Sequence, residues 1–239
     1  MFIDAQRSGY QKELRFYLLL KLLFRHGKAR LNNEELLFIE YVVQIKRRKT
    51  TKKYINLLLQ LNFLRYNEKT AYYNINSFDK IRQFHNWENR LAFPIDYTSY
   101  YKIQAVTGAV IFGYLHKDFW RNVKRKKSVQ IKGSTYHFPS NSFNYKKQLA
   151  PVSVIGVNKI FDIPTTTVSS LKNAAAKEKY IKLKKNYSDA IPDKQSMQLF
   201  IDYNNFNNNI VFHEDQYRLQ LIDTVYPLFY FIKRTSLVT

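Results

Sequence analysis

The chain has 239 residues, enough for two small domains, and its 45% hydrophobic and 16% aromatic residues can fill packed cores, which excludes global disorder. It carries 39 Lys and Arg against 18 Asp and Glu, a net charge of +21. A chain this basic repels itself unless a polyanion neutralises it, and the absence of cysteine excludes disulfides, thiolate metal sites and cysteine nucleophiles.

DNA, RNA and an anionic membrane are the polyanions to weigh. An AT-rich genome would also supply the abundant Asn, Lys, Ile, Tyr and Phe, but it would raise Glu equally, and Glu is not correspondingly high. Residues 1–7 hold no apolar signal-peptide core. The best membrane candidate, residues 219–232, is too short to span, contains Asp223 and is broken by Pro227. The expected setting is therefore cytoplasmic and nucleoid-associated, with nucleic acid as partner and no membrane. Only six Gly and six Pro argue for a mainly helical chain.

In chain order, Leu14, Tyr17, Leu18, Leu20, Leu22 and Leu23 predict a first helix that stops near Gly27. Asn32 or Asn33 caps a second helix carrying Leu36, Leu37, Ile39, Val42 and Val43, with Glu34 and Glu35 at its positive end. The run Lys46-Arg47-Arg48-Lys49-Thr50-Thr51-Lys52-Lys53 follows. Thr50 or Thr51 is the expected cap of a third helix lined inside by Ile55, Leu58 and Leu61, and Asn62 suits a left-handed stop. Residues 63–66 and 71–75 read as strands joined by Asn67-Glu68-Lys69-Thr70. Ile81, Phe84, Trp87 and Leu91 have the spacing of a connector helix that Pro94 ends.

A long buried helix is expected from Tyr101 through Phe119, then a basic stretch ending in Lys124-Arg125-Lys126-Lys127. Residues 128–149 read as a polar, irregular insertion with one short strand at 128–131. Next comes Val154-Ile155-Gly156-Val157-Asn158-Lys159-Ile160-Phe161, then Asp162-Ile163-Pro164. The run Thr165-Thr166-Thr167-Val168-Ser169-Ser170-Leu171-Lys172-Asn173-Ala174-Ala175-Ala176 and Tyr180-Ile181-Lys182-Leu183 complete the motif. Pro164 fixes the entry to a helix without lying inside it. Val168, Leu171 and Ala175 share one face, and Thr166, Thr167, Ser169, Ser170 and Asn173 share the other. Lys182, Lys184 and Lys185 form a basic tip, and an apolar helix with Leu219, Ile222, Val225, Tyr226 and Phe229 is expected to close the chain.

Three helices followed by a hairpin is the order of a winged helix, and residues 51–64 resemble the recognition-helix half of that family. The second motif resembles the helix-turn-helix and first wing strand of bacterial winged-helix regulators, in which an Ile-Pro turn, a Thr/Ser-rich cap and a Tyr-Ile wing start recur. Lys179 stands where that family has Gly, so a longer or looser turn is expected there. Tandem winged helices, strong positive charge and similar length also resemble plasmid Rep-type replication initiators.

The expected fold is mainly α with small β wings. Two winged-helix domains, 1–77 and 98–190, flank a connector helix at 78–97; the second contains a basic insertion at 121–149, and a helical extension follows at 191–239. The resemblance implies duplex DNA as partner, and the apolar C-terminal helix reads as a docking or dimerisation element that could form a homodimer. Recognition helices enter the major groove, with the preceding turn on phosphate. Lys46, Arg47, Arg48 and Lys49 take phosphate, and Lys52, Lys53 and Asn56 face the groove. Thr50 and Thr51 at the cap and Lys69 in the wing join them; Lys124, Arg125, Lys126 and Lys127 are counted with the DNA-binding set as a minor-groove arm, with a localisation signal or a solvated loop as alternatives. In the second domain the set is Thr165, Thr166, Thr167, Ser169, Ser170, Lys172, Asn173, Lys182, Lys184 and Lys185. Each run has a plainer alternative, a solvated helix end for residues 46–53 and a plain cap for 165–170; the DNA-binding reading gains weight because a Leu- or Val-lined helix and a hairpin follow each.

No catalytic residue, cofactor or metal is expected. The five histidines are far apart, and no phosphate loop, dinucleotide loop, nucleophile elbow or carboxylate pair is present. Three roles remain: transcriptional regulator, plasmid or phage replication initiator, and a nucleic-acid-coating or assembly protein.

Overall fold

The computed structural model describes residues 1–88, 91–96, 98–125, 128–131, 134–137, 148–203 and 210–233. They form two units: Met1–Val110 with the residues from Phe229 onward, and Ile111–Leu228.

The first unit begins with α1 (Phe2–Arg7), α2 (Gln11–Leu23) and β1 (Lys28–Ala29). Leu14 and Phe16, Tyr17, Leu18, Leu19 and Leu20 are all buried, so α2 is the central helix. The Tyr17 ring meets Phe63 edge-on at 4.9 Å, and its hydroxyl donates to the Asn76 carbonyl at 2.8 Å. Burial pushes the pKa of that hydroxyl up and keeps it a donor. Next come α3 (Asn33–Val43), α4 (Arg48–Gln60), β2 (Leu64–Asn67) and β3 (Tyr72–Ile75). Asn32 caps α3: its side chain accepts from the Glu35 amide at 2.8 Å, and the Glu35 carboxylate accepts from the Asn32 amide at 3.3 Å. Gln44, at φ 60, turns the chain out of α3 in the left-handed conformation.

Helix α4 starts at Arg48, with Arg47 as its N-cap, one turn earlier than a Thr50 or Thr51 cap would place it. It ends as expected at a left-handed Asn62 (φ 56). The Asn62 and Phe63 amides donate to the carbonyls of Leu59 and Leu58 at 3.0 and 2.8 Å. The Asn76 side-chain amide donates to the Asn62 carbonyl at 2.8 Å and locks this turn to the end of β3. The sheet is antiparallel in the order β1-β3-β2. Then come α5 (Phe78–Phe84) and β4 (Leu91–Ala92). The connector helix expected at 78–97 is thus only α5: a left-handed Asn86 (φ 54) follows it, and Leu91 lies in a strand.

Helix α6 (Ile103–Arg125) runs from the first unit into the second, so the division falls inside a helix rather than near residue 97. In the second unit β5 (Ser128–Ile131) is the short strand expected in the insertion, and it pairs with β6 (Ser134–His137) as a hairpin. They precede β7 (Ala150–Pro151), α7 (Val154–Phe161), α8 (Thr165–Lys177) and β8 (Ile181–Lys184). A left-handed Asp162 (φ 55) ends α7, and the Asn158 side-chain amide donates to the Ile163 carbonyl at 2.9 Å, fixing the turn into α8. Lys179 itself is left-handed (φ 57), and the Lys179 and Tyr180 amides donate to Ala176 and Ala175 at 3.0 and 2.9 Å. The turn is therefore as tight as the one at Asn62, and neither longer nor looser.

Beyond β8 come α9 (Lys194–Tyr203), β9 (Ile210–His213), β10 (Gln216–Leu219) and β11 (Thr224–Pro227). Strand β11 pairs with β7 and β8, giving a sheet in the order β7-β11-β8, the same pattern as in the first unit. The closing apolar helix with Leu219, Ile222, Val225, Tyr226 and Phe229 is not formed. Val225 is buried opposite Leu183 and Ala150, and the β-branched Thr224-Val225 pair and Pro227 suit a short strand. Residues 191–228 belong to the second unit instead of making a separate helical extension. Last, β12 (Ile232–Lys233) pairs with β4 in the first unit. The chain thus combines helices with small antiparallel sheets.

Two outcomes follow. Lys179→Gly removes the left-handed penalty of a side-chain-bearing residue and raises unfolding stability by about 1 kcal/mol, read by urea denaturation. His116 is buried, and its Nε2 donates to the Gln148 carbonyl at 2.7 Å. Burial lowers its pKa, a shift the Gln148 contact opposes. The unfolded chain therefore binds this proton more readily, so His116 contributes a loss of stability as pH falls through the free histidine value of 6.5. Thermal melts should show a shallower acid-side fall in His116→Gln than in the parent.

Candidate nucleic-acid interface

Helices α4 and α8 are both 13 residues long and end on equivalent left-handed residues. Counting back from Asn62 and Lys179 pairs Thr51 with Val168, Ile55 with Lys172 and Leu58 with Ala175, all buried. The same count pairs Lys52 with Ser169, Lys53 with Ser170 and Asn56 with Asn173. Ser169 is half-buried and the others are exposed. Neither helix contains an acidic residue. Each thus clamps one side on its own unit and presents a polar, non-acidic side to solvent.

In the first unit Lys46, Arg47, Lys49, Lys52, Lys53 and Asn56 are exposed, Thr50 is half-buried, and Lys69 is exposed in the β2–β3 turn. Two assignments need correction. Thr51 is fully buried, and its hydroxyl donates to the Glu40 carboxylate, so it touches no ligand. Arg48 is half-buried and its Nε lies 3.0 Å from the same carboxylate, so part of its charge is engaged within the unit. Together Glu40, Thr51 and Arg48 fix the angle between α3 and α4. Because Lys49 stays at the positive end of α4 with no acid in the first turn, an incoming anion would relieve a local repulsion.

Sequence reasoning missed two further cations. Lys12 and Arg15 on α2 join Lys46 and Arg47 around a cleft of about 380 Å³ that also touches Thr50 and Tyr54. The Arg15 Nε is buried without a hydrogen-bond partner. The buried Glu13 acts electrostatically on Tyr54 beneath this cleft, and burial with that charge raises the Tyr54 pKa. The one available sequence signal was the spacing of Lys12 and Arg15, three apart near the start of a helix that is mostly apolar beyond them.

In the second unit Thr165, Thr166, Ser170 and Asn173 are exposed, and Thr167 and Ser169 half-buried. Lys182, Lys184 and Lys185 are exposed on and beyond β8. Lys172 is the third correction: it is buried and paired with the buried Asp223, just before β11, so it ties α8 to the sheet instead of facing solvent. The backbone of Lys124 and Arg125 ends α6, while Lys126 and Lys127 lie outside the described residues. Among the described residues no three histidine or carboxylate side chains converge as metal ligands, and no helix is long and apolar enough to cross a membrane.

Removing one partner of a buried ion pair strands the other, so Lys172→Met should destabilise the chain by about 3–5 kcal/mol in urea denaturation. Adding Asp223→Leu to that variant should recover most of the loss, because no lone charge then remains buried. Compared with known proteins, the chain matches no family model, no curated protein and no solved structure.

Proposed function

We propose that this chain binds duplex DNA sequence-specifically through two tandem winged-helix domains, with α4 and α8 as the recognition helices. The observation that carries the reading is the repeated design of these helices. Length, left-handed stop, burial pattern and sheet order recur in both units, with Asn56 and Asn173 at the same outward position. A major groove admits one such helix, and an Asn side chain can bond an adenine edge through two hydrogen bonds. The basic set around α4 and on β8 would neutralise phosphates and fix position, while the Thr, Ser and Asn groups read bases. The protein acts by binding, not by catalysis, in a cytoplasmic, nucleoid-associated setting.

Transcriptional regulation and replication initiation both fit this chemistry. The segment proposed to make a dimerisation helix is instead strand β11, paired on both edges. That favours one chain reading two neighbouring sites, as an initiator on origin repeats does, over a two-fold operator read by a dimer.

Selection from random duplexes followed by sequencing tests the proposal. An enriched motif is expected, and tandem copies beside an AT-rich tract indicate an initiator. A palindrome indicates a regulator, and no enrichment leaves only coating or assembly. With roughly six to ten phosphates neutralised, affinity should fall about 10³- to 10⁵-fold between 50 and 200 mM salt. Asn56→Ala and Asn173→Ala should each relax preference at one position of the motif by about 1–3 kcal/mol, with the salt slope unchanged.

A further inference from the structure

A second basic surface lies on the first unit, away from α4. Lys28 on β1 pairs with Asn74 on β3, and Asn74 pairs in turn with Arg65 on β2. The three side chains therefore form a row across one face of the sheet, while Ala29, Leu64 and Ile75 are buried on the other. Lys28 and Arg65 are exposed, and Asn74 is half-buried. An open cleft of about 900 Å³ runs over this row, walled by Lys21 and Arg25 from the end of α2, Lys69 from the β2–β3 turn and Lys80 from α5. Six Lys and Arg side chains thus face one carboxylate, Glu68.

None of these six cations forms an ion pair with a described carboxylate. Gathering six cations around one carboxylate on an exposed surface raises the local positive potential, and a bound polyanion would relieve it. Lys21 sharpens the point: burial lowers its pKa, and its ammonium lies 6.0 Å from the Phe78 ring centroid. Asn67, Asn74 and Ser77 add uncharged polar groups to the lining. The only exposed large hydrophobic group lining the cleft is Tyr66, so there is little to insert into a bilayer. On the corresponding face of the second unit's sheet, Lys182 and Lys184 on β8 are exposed opposite Tyr226 and Thr224 on β11, and Pro151 on β7 carries no charge.

We propose that this outer sheet face of the first unit holds the sugar–phosphate backbone of a nucleic-acid segment, separately from the groove contact of α4. The inference rests on the DNA-binding reading and extends it: the first unit grips backbone on two surfaces, α4 with its flanking cations and this sheet face. The cations contact phosphate oxygens only, so this surface adds affinity without base preference.

The test uses the full chain with Lys28→Glu and Arg65→Glu together, titrated with salt against a random-sequence duplex and a single strand of equal length. Losing two phosphate contacts should lower the slope of log K against log salt by about 1.8 on duplex and weaken binding at low salt at least about tenfold. The motif enriched by the parent should persist. A drop on duplex alone identifies a duplex flank, and a drop on the single strand alone identifies an unpaired strand; either supports the assignment. A folded variant with the parental slope on both overturns it. If charge reversal unfolds the chain by circular dichroism, the Lys28→Gln and Arg65→Gln pair carries the same measurement with the same criteria. A flat salt plot for the parent would sink the DNA-binding reading and this one together. A parental slope in the variant on both nucleic acids, with loss of binding to phosphatidylserine vesicles, overturns this one alone by assigning the cleft to anionic lipid.

Discussion

Both units depend on stopping a helix within one turn and passing the chain directly into a sheet. Asn62 and Lys179 do this by adopting the left-handed conformation, which closes two hydrogen bonds back onto each helix end. The stop sets where β2 and β8 begin, and so where each sheet can form. Asn accepts this geometry readily and Lys does so under strain, so the two turns share a shape but not a stability. In the first unit Asn76 adds a second restraint, because its amide reaches the Asn62 carbonyl while Tyr17 holds its own carbonyl from within the core. The exposed side of α4 is presented by a turn bolted at both ends.

Charge is handled differently on the inner and outer sides of these helices. On the inner side, each unit matches a cation: Arg48 with Glu40 in the first and Lys172 with Asp223 in the second. Such pairs are weak sources of stability but strong restraints on geometry, since either member alone would be costly to bury. Outside, α4 and α8 carry no acidic residue, and the cleft over the first sheet is lined by a single carboxylate. This segregation accounts for a protein that is strongly basic and yet has an ordinarily packed interior.

Much of the fold was legible because local chemistry decided it. The Asn32 capping box, the Asn62 stop, the Ile163-Pro164 entry to α8 and the hairpin after α4 each depend on residues close in sequence. The failures share the opposite property. Strand β11 is four residues long, and its partners are β8, across an insertion, and β7, so Leu219, Ile222, Val225, Tyr226 and Phe229 offered only a chance helical spacing. Lys172 was assigned outward because it is basic, although it lies four residues after Val168 and three before Ala175, on the inward side; its partner, Asp223, is remote in sequence. Thr51 was misplaced for a similar reason, since Glu40 on the preceding helix claims it. The outer sheet row of Lys28, Asn74 and Arg65 was invisible, because only strand register brings it together.

The late arrival of β11 also orders events on the ribosome. The first unit's sheet is complete once Ile75 has emerged, so its three strands can assemble while most of the chain is still unmade. In the second unit α8 must wait for Asp223 and β11, which follow residues 185–222, before Lys172 is neutralised and the middle strand is filled. Until then a lysine destined for the interior stays in water and two strands lack the one between them. Nascent chains paused in this interval would carry one finished sheet and one open sheet, and the open one is where a chaperone would act.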